Sequence, residues 1–277
     1  MNRQPLRAIT DDEVSRFWED GAIALSGLYD DEWIAHMRDA IEENLANPGP
    51  QSREYVKPGE RGRFLGDIGV WWIKPALRRY VMESPSAAIA QRFLGSTKVN
   101  FFYDQLFVKE PGTQARTPWH QDQPYWPIKG WQVISVWLTL DDVTLETSGV
   151  EYIAGSHRAN VWYKPRNFGG DPNAYRDTPG TPIPDFDAER DRHRFLSWDM
   201  KAGDILVHHA LTVHGSAGNA SSTRRRRAYA TRWTGDDVVY DPRPDLVPLT
   251  LVDIPLAPGE PLDCAVFPKV WPRVETA

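Results

Sequence analysis

The chain has 277 residues, 41% of them hydrophobic and 25% charged, an ordinary globular composition long enough to bury a large core. A net charge of −6 argues against a general nucleic-acid or anionic-membrane surface, and a lone cysteine, Cys264, excludes a disulfide framework within the chain and fits a reducing compartment. No apolar run approaches the roughly 18 residues of a membrane span, and Met1-Asn2-Arg3-Gln4-Pro5 is not followed by the apolar core of a signal peptide, so a cytoplasmic protein is expected.

Thr10-Asp11-Asp12-Glu13 has the form of a capping box; Val14, Phe17 and Trp18 follow at helical spacing, and Gly21 closes the helix. Residues 22–25 read as a short strand. A second helix begins near Asp30 with an apolar stripe of Trp33, Ile34, Met37, Ile41 and Leu45, and Pro48-Gly49-Pro50 ends it. Residues 49–64 are polar and rich in Gly and Pro, the composition of a loop. Val70-Trp71-Trp72-Ile73 is an apolar patch, and helices are expected over 75–83 and 85–94.

From Val99 the period changes from helical to alternating. A strand over 99–110 puts Phe101, Tyr103, Gln105, Phe107 and Lys109 on one face, and Pro111-Gly112 turns the chain into the segment of His120. Further strands are expected over 133–140, 150–154, 205–207 and 224–233. Residues 159–194 carry many Pro, Gly and charged residues and are too long for an idle connection; they read as an inserted loop over one mouth of the fold, suited to a lid. Residues 236–277 are Pro-rich and read as irregular. Without repeats or a clear linker, the expectation is one domain over 1–277: a helical N-terminal part (1–96), a core (97–235) and a tail. Many short strands after helices predict an α+β protein built on a two-sheet jelly roll.

The chemistry gathers around His120-Gln121-Asp122. In an extended strand, side chains at i and i+2 leave one face, so an imidazole and a carboxylate converge. One further His makes a facial triad, the donor set that leaves open positions on a non-haem Fe(II). His214 is the expected third ligand because Gly215 lets backbone approach closely beside it. His208 and His209, at a strand end, are lesser candidates, and His157 is expected to support a turn. Such a site needs an electron donor to activate O2. 2-Oxoglutarate fills that role, and its far carboxylate needs a cation, best an arginine with its planar fork. The run at 224–227 offers four. The face with Arg226, Ala228 and Ala230 is expected to turn inward, which favours Arg226, with Arg224 or Arg225 in its place if the register slips. Tyr103, Tyr125, Trp126 and Trp131 are expected to line an aromatic substrate pocket. Arg232, of the same parity as Arg226, is a candidate partner for an acidic substrate group.

These residues together resemble the phytanoyl-CoA dioxygenase family of Fe(II)/2-oxoglutarate oxygenases. Thr117-Pro118-Trp119-His120-Gln121-Asp122, Trp137-Leu138-Thr139-Leu140-Asp141, Gly149 through Gly155-Ser156-His157, Gly203-Asp204, His214-Gly215-Ser216 and Arg226-Arg227-Ala228 stand in the family's order between about residues 10 and 233. The resemblance implies a double-stranded β-helix (a cupin-like jelly roll) flanked by N-terminal helices. It implies iron on His120, Asp122 and His214, the distal carboxylate of 2-oxoglutarate on Arg226, Trp137 packed near the cosubstrate and the Thr117 hydroxyl touching it. Gln105 and Lys109, on the inward parity of the preceding strand, are weaker candidates for the same cosubstrate. Halogenating relatives lack the carboxylate that Asp122 supplies here. Hydroxylation of an aliphatic C–H of a small molecule, with O2 consumed and CO2 and succinate released, is therefore expected over halogenation. Desaturation, epoxidation or rearrangement with the same cofactors is an alternative, and so is a non-catalytic jelly roll that binds a ligand. No basic groove for coenzyme A is evident outside the Arg run, which favours a small molecule over an acyl-CoA. No nucleic-acid or membrane partner is expected, and the chain is expected to be a monomer or homodimer.

Overall fold

A computed structural model describes residues 1–57, 59–168, 175–246 and 248–273. Gly169, Gly170 and Pro172 of the expected lid therefore lie outside the described residues. Helix α1 (Asp11–Asp20) begins at the capping box: Thr10 Oγ1 accepts from Glu13 N, and the Glu13 carboxylate accepts from Thr10 N. It ends at Gly21, whose φ of +82° only glycine adopts freely. Helix α2 (Asp31–Ala46) is capped by Asp30 and buries Trp33, Ile34, Met37 and Ile41. Helices α3 (Pro75–Glu83) and α4 (Ser86–Leu94) follow. Among the described residues, no helix is long and apolar enough to cross a membrane.

The strands are β1 (Ala22–Leu25), β2 (Arg53–Glu54), β3 (Phe64–Ile68), β4 (Val99–Lys109), β5 (Thr117–His120), β6 (Ile128–Lys129) and β7 (Val133–Thr139). They continue with β8 (Val150–Ile153), β9 (Phe195–Leu196), β10 (Ile205–His209), β11 (His214–Ser216), β12 (Arg226–Thr234), β13 (Val239–Tyr240) and β14 (Lys269–Trp271). An eight-stranded sheet runs β1-β10-β7-β12-β4-β3-β2, with β14 also on β4; a second sheet runs β5-β11-β8-β9, and β13-β6 forms a ribbon. The two antiparallel sheets face each other as a jelly roll. Period-two alternation sorts the large sheet. On β12, Tyr229 and Trp233 pack into the same core as Tyr80 of α3 and Phe93 of α4, whereas Ala228 and Ala230 join Trp137 and Tyr152 between the sheets.

Several expectations change here. The segment read as a loop contains β2 and leads into β3, so the N-terminal part supplies three strands to the large sheet. Arg53 and Glu54 are exposed, and charge on an outermost strand hides the alternation that would mark it. The tail is not merely irregular. β14 pairs with β4, Phe267 is fully buried, and Asn100 Nδ2 donates to Leu262 O and Phe267 O. Strands of two or three residues are too short to carry a period. The inserted loop is docked where it is described: Tyr163 bridges to Thr181, and Gln121 donates to Val161 O while accepting from Tyr163 N.

Behind the large sheet, Asp104 is fully buried and accepts from Tyr229 Oη at 2.7 Å and Trp71 N at 3.1 Å. Burial outweighs these bonds and pushes its carboxyl up to about 7. The unfolded chain ionises near pH 3.9, so between about pH 4 and 7 the folded state holds a proton that the unfolded state has lost. This contribution to stability is complete below about pH 4 and lost as pH rises through 7. The Asp104→Asn variant is expected to lack that slope. Urea titrations at pH 5 and pH 8 should show the difference between variant and wild type shifting by about 2–3 kcal/mol in favour of the variant at the higher pH. An unchanged difference refutes the assignment.

Candidate active site

The cavity between the sheets is about 390 Å³, a size that suits small molecules. The large sheet lines it with Tyr103, Gln105, Phe107, Trp137, His208, Arg226 and Arg232, and the small sheet with Thr117, His120, Val150, Tyr152, His214 and Ser216. His120 and His214, distant in sequence, are direct partners in the β5–β11 ladder, and their rings lie 4.2 Å apart.

Asp122 reaches the same point by another route than strand parity. β5 ends at His120, and Asp122 has helical dihedrals (φ −76°, ψ −49°) at the start of a 3-10 turn over Gln123–Tyr125. Ala210 O accepts from both Asp122 N and Gln123 N at 3.0 Å, and Pro124 cannot continue a ladder. That turn swings the carboxylate back, so Asp122 Oδ1 lies 3.5 Å from His120 Nε2 and 3.7 Å from His214 Nε2.

The three donors lie within 4.8 Å of one another and are buried. Octahedral bonds of about 2.1 Å at right angles need donors about 3 Å apart, so the set fits a facially bound metal. The protons are placed to suit. His120 Nδ1 faces Pro118 O at 2.8 Å and His214 Nδ1 faces Thr212 O at 3.0 Å. A carbonyl only accepts, so each Nδ1 carries hydrogen and each Nε2 presents its lone pair. Burial, then the neighbouring His120, pushes His214 well below the usual imidazole range, keeping it neutral. For Asp122, burial opposes the charge, but the nearby His120, the hydrogen bond from His208, and the neighbouring His214 and Arg232 outweigh it and hold the carboxyl well below its usual value.

His208 stands beside this set in another role. Its Nε2 donates to Asp122 Oδ2 at 3.2 Å, its Nδ1 accepts from Tyr152 Oη at 3.1 Å, and Ser135 Oγ donates to the same Oδ2 at 3.0 Å. Both nitrogens are engaged, and only Oδ1 of the carboxylate is left for a metal. The sequence reading missed Ser135 and Tyr152. Ser135 carried a usable signal, since it stands two residues before Trp137 on one strand. Tyr152 carried none, because it meets His214 only through the β8–β11 register.

The arginine run resolves cleanly. Arg224 pairs with Glu146, Arg225 with Glu42 and Glu110, and Arg227 with Asp141 and Glu42. Arg226 lines the cavity, 3% exposed, 5.5 Å from the Trp137 ring and donating to Ser148 Oγ at 3.2 Å. Burial lowers its guanidinium to about 10, still charged at neutral pH. Lys109 has the expected parity but stands behind the wall. Its Nζ donates to Ser216 Oγ and Ala217 O over the Phe64 ring, and burial beside Arg226 holds it well below the usual lysine value.

Of the expected pocket aromatics, Tyr103, Tyr125 and Trp126 line the cavity, and Trp126 Nε1 donates to Tyr103 Oη. Trp131 does not. It packs against His209 at 4.3 Å and Trp18 at 6.2 Å on the α1 side, its carbonyl accepting from His209 Nε2. This contact also removes His209 from the site. His157 lies in the 3-10 turn Ser156–Ala159 and donates to Trp18 O. The inserted loop adds Phe168 and Tyr175 to the cavity wall, and Arg166 N donates to Tyr125 Oη.

The family model for phytanoyl-CoA dioxygenase (PhyH) matches residues 17–228, most of the chain and all three donors. The chain belongs to the phytanoyl-CoA dioxygenase family. It is thus an Fe(II)/2-oxoglutarate-dependent dioxygenase with the jelly roll of that class. Phytanoyl-CoA dioxygenase relatives are distant in sequence. An ectoine dioxygenase of Bordetella bronchiseptica is 23% identical over 255 residues, 87% of this chain and 80% of that protein. The carbocyclase SnoK of nogalamycin biosynthesis superposes with a TM-score of 0.73 at 22% identity, over 97% of this chain and 99% of that one. EctD from S. alaskensis, crystallised with 2-oxoglutarate and 5-hydroxyectoine, gives 0.67 at 20% identity, over 94% and 87%.

Proposed function

We propose that this dioxygenase hydroxylates an aliphatic C–H bond of a small molecule, in the cytoplasm. The observation that carries the reading is the intact set of His120, Asp122 and His214 opening on a cavity whose far wall holds Arg226. His120 Nε2, His214 Nε2 and Asp122 Oδ1 would hold Fe(II). Iron with 2-oxoglutarate supplies an oxidant able to cut an unactivated C–H bond, releasing CO2 and succinate.

The chain's own residues place and protect. Ser135 and His208 fix the Asp122 carboxylate so that one oxygen faces the metal. Arg226 receives the distal carboxylate of 2-oxoglutarate, with Trp137 beside it, Gln105 on the same sheet and Thr117 on the facing one. Lys109 stands behind the cavity wall and donates to Ser216 Oγ, fixing its position. Tyr125, Phe168 and Tyr175 close over the His120 side, a screen that keeps water from the reacting centre.

Iron-loaded protein given 2-oxoglutarate and O2 is expected to release succinate in proportion to an added substrate, with one oxygen gained by the product. Absence of stimulated succinate release across a broad metabolite panel refutes the reading and favours a non-catalytic binding protein. A second reading, rearrangement or ring closure with the same cofactors, has the carbocyclase SnoK in its favour as a relative of the same fold. A product with two hydrogens fewer and no added oxygen distinguishes ring closure, and a product with an altered carbon skeleton or stereocentre distinguishes rearrangement.

A further inference from the structure

We infer that Arg232 is the anchor for a carboxylate on the primary substrate, so that the substrate is a small carboxylic acid oxidised close to its acid group. The inference rests on the proposed oxygenase reading of the same cavity.

The charged side chains on the cavity wall are Arg53, Glu54, Asp122, Arg166, Arg226 and Arg232. Arg53, Glu54 and Arg166 are exposed at the mouth, and Glu54 pairs with Arg63. That leaves Asp122, Arg226 and Arg232 as the buried charges. Asp122 faces the metal and Arg226 faces the cosubstrate's distal carboxylate. Fe(II), the Asp122 anion, the 2-oxoglutarate dianion and the Arg226 cation sum to zero. Among the described charges on the cavity wall, Arg232 then remains as one buried positive charge not balanced there, and a buried cation in that state is costly.

Its contacts leave hydrogen-bonding capacity unused. Arg232 is 3% exposed and sits over the Tyr103 ring at 4.6 Å and the Trp126 ring at 6.0 Å. Nη1 donates to Ala230 O at 3.1 Å and Nη2 to Gln105 Oε1 at 3.3 Å, while the buried Nε has no hydrogen-bond partner among the described residues. The carboxylate within ion-pair reach is Asp122, with Oδ2 at 4.0 Å from Nε, and that oxygen already accepts from Ser135 and His208. A planar guanidinium with an unpartnered Nε–H and further N–H donors matches a carboxylate in shape and charge. Tyr103, Trp126, Tyr125, Phe168 and Leu249 supply apolar wall beside it, which suits an apolar or ring-bearing body on the acid. Because Arg232 stands 4.0 Å from a metal ligand, an acid held there presents a carbon only a few bonds from its carboxylate.

The test uses protein loaded with redox-quiet Mn(II) and 2-oxoglutarate, titrated calorimetrically with 3-phenylpropionate, hexanoate and the corresponding neutral amides. Wild type is expected to bind the acids at least about tenfold more tightly than the amides. Arg232→Met is expected to reduce that ratio to within about threefold and to leave 2-oxoglutarate affinity within about threefold, and Arg232→Lys to restore part of the ratio. The wild-type ratio decides the matter even if the methionine variant folds poorly. The proposal is overturned if neither acid binds wild type, if amides bind as well as acids, or if Arg232→Met loses 2-oxoglutarate affinity in step with the acid preference. Failure of the parent reading looks different: 2-oxoglutarate then fails to bind wild type, or binds it without dependence on Arg226.

Discussion

Replacing His214 with alanine is expected to leave the fold in place and remove iron. His214 contributes its backbone to the ladders with β5 and β8, and alanine preserves those bonds. What disappears is one of three donors whose Nε2 is aimed by the bond from Nδ1 to Thr212 O. Loss of a group that merely orients a ligand costs about 10–100-fold in metal affinity or activity, so loss of a ligand itself should cost at least about a thousandfold in coupled succinate release. Iron measured after desalting should fall from about one per chain to about a tenth or less. The metal-free variant should melt within a few degrees of metal-free wild type, which separates a lost ligand from a lost fold. Full iron occupancy with full coupled turnover in His214→Ala would sink the assignment of the triad.

Arg226→Met is expected to weaken 2-oxoglutarate binding while sparing iron. Removing one partner of a buried, hydrogen-bonded charge pair costs about 2–5 kcal/mol, so the dissociation constant should rise at least about 30-fold. Arg226→Lys should fall between, since an ammonium keeps the charge and loses the fork. Arg224→Met serves as the control: that side chain is half exposed against Glu146 and should change 2-oxoglutarate affinity by less than about threefold. Stability should move the other way from affinity. Among the described residues Arg226 is a buried cation without an acidic partner in salt-bridge range, so metal-free Arg226→Met is expected to melt no lower than wild type. Equal 2-oxoglutarate affinities in Arg226→Met and wild type would reject the role.

Much of the helical part was legible because its signals are local. The capping box at Thr10 and the glycine at 21 need only a few neighbouring residues, and α1 begins and ends where they predict. Strand parity also read well along most of the long strands, although a bulge between Tyr103 and Phe101 turns Phe101 into the helix-side core with Trp71 and Trp233. β4 sends Tyr103, Gln105 and Phe107 to the cavity, and β12 sends Arg226 and Arg232 there. Parity misled where the chain was not a strand: Asp122 joins the site through a 3-10 turn pinned on Ala210 O. It was silent where strands are two or three residues long, as in β2 and β14.

The sequence by itself determined the chemical kind of the protein. A histidine and a carboxylate two residues apart, a later histidine and a basic strand, in an order that resembles the phytanoyl-CoA dioxygenase family, point to an iron and 2-oxoglutarate site. The tertiary structure decided which side chains act together. It paired His120 with His214 across β5 and β11, and it closed Ser135, His208 and Tyr152 around Asp122. It gave Arg224, Arg225 and Arg227 to surface acids and turned Trp131 away to His209. The reason is physical. Alternation is a property of one strand and is visible in any short window. Register is a property of two strands joined by long connections, and it is set by the summed hydrogen bonding and burial of the whole sheet.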